Sequence, residues 1–307
     1  MNKEFIQNIK KVEYLKKNGK SVFGIFGDPV SHSLSPLMHN NSFSIKKITA
    51  EYLPFYVKKA EVKEAMRIAL DTGIDGLNIT IPHKSSVIPL LDEIHPAAKK
   101  IGAVNTIVFR EGKSKGFNTD VDGFILPIKQ YIELIKYEDV TVFGGGGSAR
   151  AVLFAMLQNF SFPKINLLTR NEKKGNKLLD EAEYWKKHGT ILEWCDFSNS
   201  IQAAEYIWES RLLINCTPIG MTGNNAEFPF SLARFFRPGQ VAYDLIYTPL
   251  ETSFLRESEK RGGQTISGLE MLIQQGAKAF RIWTGKTMPV KEIRSILKEK
   301  LLPQNKR

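Results

Sequence analysis

The chain carries only two cysteines among 307 residues, Cys195 and Cys216. Two thiols make no disulfide framework, so a reducing compartment, the cytoplasm, is the expected address. Long apolar runs are missing as well. No stretch approaches the roughly eighteen uncharged apolar residues that a membrane helix needs, so no membrane partner is expected. The opening segment MNKEFIQNIKKVEYLKK is broken by charge throughout, unlike the apolar region of a secretion signal. The histidines, at positions 32, 39, 83, 95 and 188, show no metal spacing with cysteines or acids, so no metal is expected. Acidic residues are in short supply, 32 against 43 basic ones, which leaves a formal charge of +11. That surplus is spread along segments such as EVKEAMR, NEKKGNKLLDEAEYWKK and VKEIRSILKEK, mixed with acids as on solvated helix faces. With no zinc spacing, RNA-binding aromatic signature or basic arm, nucleic acid is excluded as a partner. A basic protein still draws small anions toward it.

What is present is an alternation of strand and helix. VFGIFG (22–27) reads as a buried strand closing on a turn, and LSPLMHNNSFSI as a helix with Pro36 in its first turn. AEYLPFYV (50–57) has strand character, with Pro54 suited to an edge or an irregular position. KAEVKEAMRIALDTG has helical spacing and stops at Gly73. IDGLNITI (74–81) is a strand, followed by a short helical stretch near Lys84. Residues 103–110 and 114–119 suggest a hairpin. A linking helix, DGFILPIKQYIELIK, leads to segments at 140–144, 164–170, 190–197, 212–218 and 241–247. These are spaced like parallel strands with helices between them. Two helices, 268–285 and VKEIRSILKEK, close the chain. The order argues for an α/β fold.

VFGGGGSARA supplies Gly144, Gly146 and Ala149 in the G-x-G-x-x-A form, with Gly147 among the same run. It follows a strand and opens a helix, the context a dinucleotide fingerprint requires. Gly144 permits the tight turn, and Gly146 lets backbone approach a pyrophosphate at the helix N-terminus. At the end of the next strand, Thr169 stands where an acid would receive the ribose hydroxyls of NAD. Arg170 beside it suits the extra phosphate of NADP, and Lys174 adds charge. Glu172 opposes that choice, since a carboxylate repels a 2′-phosphate.

Before this unit come polar clusters beside turns: GDPVSHSLSPLMHN, NITIPHK, IGAVNT and GFNTDVDG. Ser33, Ser35, Thr80, Asn105 and Asp120 are groups suited to orienting a small polyhydroxylated ligand. Each cluster taken alone reads more readily as caps and turns than as a ligand site.

In combination and in this order, those clusters resemble the shikimate dehydrogenase family. So do FGGGGSARA, INCTPIGM and GLEMLIQQGAKAF, and the resemblance runs from about Val22 to about Trp283. It implies a two-domain α/β protein, with a substrate-binding catalytic domain from residues 1–122 and 268–307. A Rossmann NADP-binding domain would fill 123–267, and the active-site cleft would lie between the two. It implies that Ser33 and Ser35, helped by Tyr247, bind a substrate carboxylate. Thr80, Asn105 and Gln275 would complete the substrate site, with Lys84 and Asp120 as the catalytic pair. Gly268 and Met271 would border the nicotinamide. The implied reaction is reversible reduction of 3-dehydroshikimate to shikimate by hydride transfer, with the Lys84/Asp120 pair handling the proton.

The family's nucleotide motif NRT reads TRN here, at Thr169, Arg170 and Asn171. Relatives that accept quinate and use NAD carry an acid shortly after the arginine, as Glu172 does. A quinate/shikimate dehydrogenase using NAD or both cofactors is therefore the alternative. The third reading, a non-catalytic sensor on the same fold, would lack the lysine or the aspartate, and both are present. Monomer and homodimer are both compatible with the sequence. Before the family's first strand, Phe5, Ile6, Ile9, Val12 and Leu15 trace one apolar helix face, expected as a docked or frayed extension. Cys195 reads as a core residue, Trp283 as packing for the terminal helix, and Cys216 as a bystander to its neighbours' backbone.

Overall fold

The computed structural model describes residues 1–229 and 231–302; positions 303–307 of the expected C-terminal segment lie outside the described residues. The chain separates into two compact units, Met1–Thr119 with the residues from Ile273 onward, and Asp120–Leu272. The sequence reading set the breaks at 122/123 and 267/268.

In the first unit, helix α1 (Lys3–Lys17) is capped by Asn2, whose side chain accepts the Phe5 N–H at 2.7 Å. It is docked. Phe5, Val12 and Leu15 are buried, and Phe5 meets Phe26 and Phe55 edge-to-face. Ile6 lies outside that stripe, 48% exposed. Lys16 pairs with Asp75 at 2.9 Å, and the same carboxylate accepts the Val22 N–H. The helix is thus pinned at both ends.

Strand β1 (Ser21–Gly27) is buried from Val22 onward, as a strand covered on both faces must be. After it come α2 (Ser35–Ile45), β2 (Ala50–Tyr56), α3 (Val62–Asp71), β3 (Gly76–Ile79) and β4 (Glu93–Ile94). Then follow α4 (Pro96–Ile101) and the hairpin β5 (Thr106–Arg110) and β6 (Lys113–Phe117). The sheet order is β2-β1-β3-β5-β6-β4, so β2, with Pro54, lies at an edge. β1 pairs in parallel with β2 and β3, and β3 pairs antiparallel with β5. Two details differ from expectation. β3 ends at Ile79, and Lys84 lies in a run of turns closed by a 3₁₀ turn at Ile88–Leu90. Pro82 and Pro89 lack the N–H that would continue either a strand or a helix there. The two-residue β4 is too short to leave a periodic signal.

The second unit opens with α5 (Asp120–Ile128), a 3₁₀ turn and α6 (Ile132–Ile135), where the sequence suggested one helix. Pro127 near the end of α5 accounts for the break. Next come β7 (Val140–Phe143), α7 (Gly147–Asn159), β8 (Lys164–Thr169), α8 (Glu172–Glu183) and β9 (Ile191–Asp196). They are followed by α9 (Ser200–Glu209), β10 (Leu212–Asn215), β11 (Val241–Asp244), α10 (Ser253–Lys260) and β12 (Gln264–Ser267). Every pairing is parallel, in the order β12-β11-β10-β7-β8-β9. Counted from β7, this is the doubly wound 3-2-1-4-5-6 arrangement, whose order reverses between β7 and β10. β12 was not foreseen, because only Ile266 among its four residues is buried.

Helices α11 (Gly268–Thr284) and α12 (Val290–Leu301) end the described chain, and from Ile273 they belong to the first unit. There Trp283 stacks on Phe23 with ring centroids 5.0 Å apart, and donates its indole N–H to Ile107 O at 2.9 Å. It lies where a side chain on Gly76 would stand, so the glycine makes room for the indole.

Candidate active site

The second unit holds a cleft of about 510 Å³ at the carboxyl ends of its strands. It is lined by Gly144–Gly146 after β7, by Thr169, Arg170 and Lys174 after β8, and by Thr217–Ile219 after β10. These flank the point where strand order reverses, the place where open α/β sheets bind ligands. Gly144 has φ +102°, and a Cβ there would press on the Cys216 carbonyl at 3.2 Å. It is therefore required both by conformation and by space. Gly146 differs. It caps α7 in extended backbone, and a Cβ on it would meet nothing within 4 Å. The open ground beside it is the N-terminus of a thirteen-residue helix, whose N–H groups and dipole favour an anion. Gly147 begins α7, and Ala149 is fully buried on its packed side. This cradle fits a pyrophosphate.

At the adenosine end, Thr169 is not free to read a ribose. Its hydroxyl accepts the Trp194 indole N–H at 2.8 Å and donates to Asn171 O at 3.2 Å. Asn171 caps α8, its side chain accepting the Lys174 N–H at 2.9 Å. An Asn performs that task as well as a Thr, which gives the TRN spelling a physical reason. Arg170 is exposed at the rim, Lys174 lines the cleft, and Glu172 lies in the first turn of α8, where the helix dipole favours an acid.

In the first unit the turn bearing Lys84 is held from both sides. His83, fully buried, contacts Val57 O through Nε2 at 2.6 Å, and the Lys84 carbonyl accepts the Val104 N–H at 2.7 Å. The next residue, Asn105, is 3% exposed. Its Oδ1 accepts the Thr119 N–H at 2.7 Å, and its Nδ2 donates to Thr119 Oγ1 at 3.0 Å. Thr119 Oγ1 also reaches Gln275 Oε1 on α11 at 3.4 Å. Asn105 and Gln275 thus meet through Thr119, a residue the sequence reading passed over. So it did Asn78 and Tyr52. Tyr52 donates its hydroxyl to Asn78 Oδ1 at 2.8 Å, and the Asn78 amide reaches Asn105 O and Thr106 Oγ1, each at 3.2 Å. Asn78 sat in the quoted NITIPHK. A buried Asn inside a strand was the signal that could have found it, because a buried amide must be hydrogen-bonded.

Ser33 Oγ accepts the Ser35 N–H at 3.2 Å at the start of α2, with Ser35 buried and Ser33 half-buried. Thr80 follows β3 and donates its N–H to Phe26 O at 2.9 Å. Asp120, 5% exposed, is the first residue of α5 in the second unit. In that unit too, Tyr247 lies on the loop after β11, half-buried, and burial raises its phenol above the ordinary value, keeping it a donor. Gly268 opens α11, its N–H donated to Ile246 O at 3.1 Å, and Met271 is buried one turn on. Cys216 is raised by burial and held protonated, and Cys195 is likewise pushed up, to about 11. Neither is a nucleophile. Among the described residues no group of histidines, cysteines and acids is placed to hold a metal ion, and no helix is long and apolar enough to cross a membrane.

A doubly wound parallel sheet with a glycine turn at its reversal point, in one chain with a unit carrying a lysine turn and a buried amide network, defines the architecture of a dinucleotide-dependent oxidoreductase. Residues 25–107 match the shikimate dehydrogenase substrate binding domain, and residues 268–298 the shikimate 5′-dehydrogenase C-terminal domain. A shikimate dehydrogenase (NADP(+)) of Pelodictyon phaeoclathratiforme is 40% identical over 91% of this chain and 97% of its own length. A shikimate dehydrogenase crystallised with NADP⁺ superposes with a TM-score of 0.84 at 37% identity, over 93% of this chain and 97% of that one. The quinate dehydrogenase of Corynebacterium glutamicum, in complex with NAD, gives 0.81 at 27% identity, over 91% and 99%. The chain belongs to the shikimate dehydrogenase family.

Proposed function

We propose that this protein reduces 3-dehydroshikimate to shikimate, reversibly, with NADP(H). The observation that carries the reading is the nucleotide cleft, open beside Gly146 and rimmed by Arg170 and Lys174, on a chain 40% identical to an NADP-dependent relative over 91% of its length. The reduced nicotinamide supplies the hydride. The residues do the rest. Amides at the start of α7 receive the pyrophosphate, and the Arg170 guanidinium grips the 2′-phosphate in its planar fork.

Ser33, Ser35 and the Tyr247 hydroxyl bind the substrate carboxylate, while Thr80, Asn105 and Gln275 receive its ring hydroxyls. Asn105 suits that role because Thr119 fixes its rotamer before any ligand arrives. Lys84 protonates the oxygen as the carbonyl becomes an alkoxide, and in the reverse direction it accepts that proton. Asp120 holds the ammonium in register. Gly268 and Met271 border the nicotinamide. The address we propose is the cytoplasm, since two free thiols suit a reducing compartment.

An absorbance assay at the reduced-nicotinamide band, crossing shikimate and quinate with NADP⁺ and NAD⁺, tests the reading. Turnover confined to shikimate with NADP⁺ is the expected result. Glu172 and the likeness to a quinate dehydrogenase in complex with NAD support one second reading, use of quinate with NAD. Comparable rates for that pair would establish it. Silence in all four combinations from folded protein would leave a ligand sensor.

A further inference from the structure

The turn after β10 and the loop after β11 are joined farther out by one backbone bond, Thr222 N–H to Thr248 O at 2.8 Å, and at the strand ends through one buried carboxylate. Asn215 and Asp244 end their strands side by side in register, and both are fully buried. Asp244 Oδ1 accepts the Asn215 amide at 3.1 Å and the Ile246 N–H at 3.0 Å, and its Oδ2 accepts the Thr252 hydroxyl at 2.6 Å. Asn215 in turn donates to Ile219 O at 3.2 Å. Its Oδ1 accepts both the N–H and the hydroxyl of Thr217, at 3.0 and 2.7 Å. The Thr217 hydroxyl then accepts the Ile219 N–H at 3.2 Å.

One end of this chain of bonds is the wall of the nucleotide cleft, Thr217–Ile219. The other spans residues 246–252, the loop that presents Tyr247. No residue of that loop lines the cleft. If the network only stapled two strand ends, a neutral amide pair would serve, because a buried charge is costly to desolvate. Burial does weigh on this carboxyl, raising it to about 6. What the charge adds is acceptor strength directed to both loops at once: two bonds into the 246–252 loop and one to the amide that holds Thr217.

We propose that Asp244 is a positioning residue that couples the nucleotide cleft to the Tyr247 loop, so that a dinucleotide resting against Thr217–Ile219 orders residues 245–252. The proposal rests on the NADP reading above and adds to it a route by which cofactor prepares the substrate-binding hydroxyl.

The test is amide hydrogen exchange of the whole protein with and without saturating NADP⁺, occupancy being set by calorimetry for each variant. In the native sequence, exchange should slow both at residues 144–146 and, by about fivefold or more, across 245–252. Thr217→Val should keep the slowing at 144–146 and lose it across 245–252, and Thr217→Ser should restore it. Asp244→Asn, isosteric but neutral, should behave like the valine variant. If 245–252 slows equally in Thr217→Val, or fails to slow in the native chain while 144–146 does, the coupling is refuted. No binding heat for NADP⁺ and no slowing at either segment would instead refute the NADP reading on which it rests.

Discussion

His39 is a titratable group with no visible reason to be one. It is fully buried on α2, stacked on Tyr52 with centroids 4.6 Å apart and planes at 10°, and ringed by Phe43, Phe280 and Trp283. Neither ring nitrogen has a hydrogen-bond partner among the described residues. Burial alone drives its pKa from 6.5 down to about 3. The folded protein therefore refuses a proton that the unfolded chain accepts. Stability from this site is complete above pH 6.5 and falls as acid is added, by about 1.4 kcal/mol per pH unit. At pH 5 the loss is about 2 kcal/mol.

Asp244 opposes it. Its folded value lies above the unfolded one, so between pH 7 and 5 the folded state takes up a proton and gains on the order of 1 kcal/mol. The two contributions have opposite sign, and replacing His39 leaves the other alone. His39→Leu should show a stability relative to the native sequence that improves by about 2 kcal/mol between pH 7 and pH 5. Its offset at pH 7 depends on the lost stacking with Tyr52, but the change with pH does not. Urea unfolding midpoints at pH 7, 6 and 5 measure it. A difference between the two proteins that stays constant across the three values would refute the argument, because it would mean the imidazole finds a proton-tolerant site after all.

Lys84→Ala should lower kcat by about a hundredfold or more with little change in shikimate KM; steady-state rates near native would remove its proton-transfer role. Arg170→Ala should raise KM for NADP⁺ far more than for NAD⁺, and equal effects would mean the guanidinium does not read the phosphate. Phe5→Ala should destabilise the first unit by about 3 kcal/mol, since Phe5 is 1% exposed and wedged between Phe26 and Phe55. A shift in the urea midpoint worth less than about 1 kcal/mol would show that α1 adds little to that core.

Much of this was legible because the informative residues are punctuation. Gly144 permits a tight strand-to-helix turn, and it takes φ +102° there; Pro54 suits an edge or an irregular position, and its strand is an edge. The doubly wound sheet followed from strands spaced by helices. What escaped lacked a periodic signal. β12 is four residues with one buried side chain, and the turns around Lys84 read as helix until Pro82 and Pro89 are taken into account. The Thr119, Asn78 and Tyr52 bonds escaped for a different reason. They join residues far apart in sequence, 26 positions in the Tyr52–Asn78 case and 156 in the Thr119–Gln275 case. No local pattern encodes such a distance. Thr169 and Asn171 looked like departures from a binding motif, and their hydrogen bonds give them work within the chain itself.

Trp283 has a consequence for how the protein is made. It fills the space over Gly76, stacks on Phe23 and binds Ile107, all in a sheet whose strands leave the ribosome long before it does. During synthesis the first unit must wait, its core open at that spot, while the whole of the second unit emerges and is free to fold. Vectorial synthesis and native packing thus run in opposite orders for this unit. A nascent chain stalled before Trp283 should present a protease with a digestible first unit and a resistant second one.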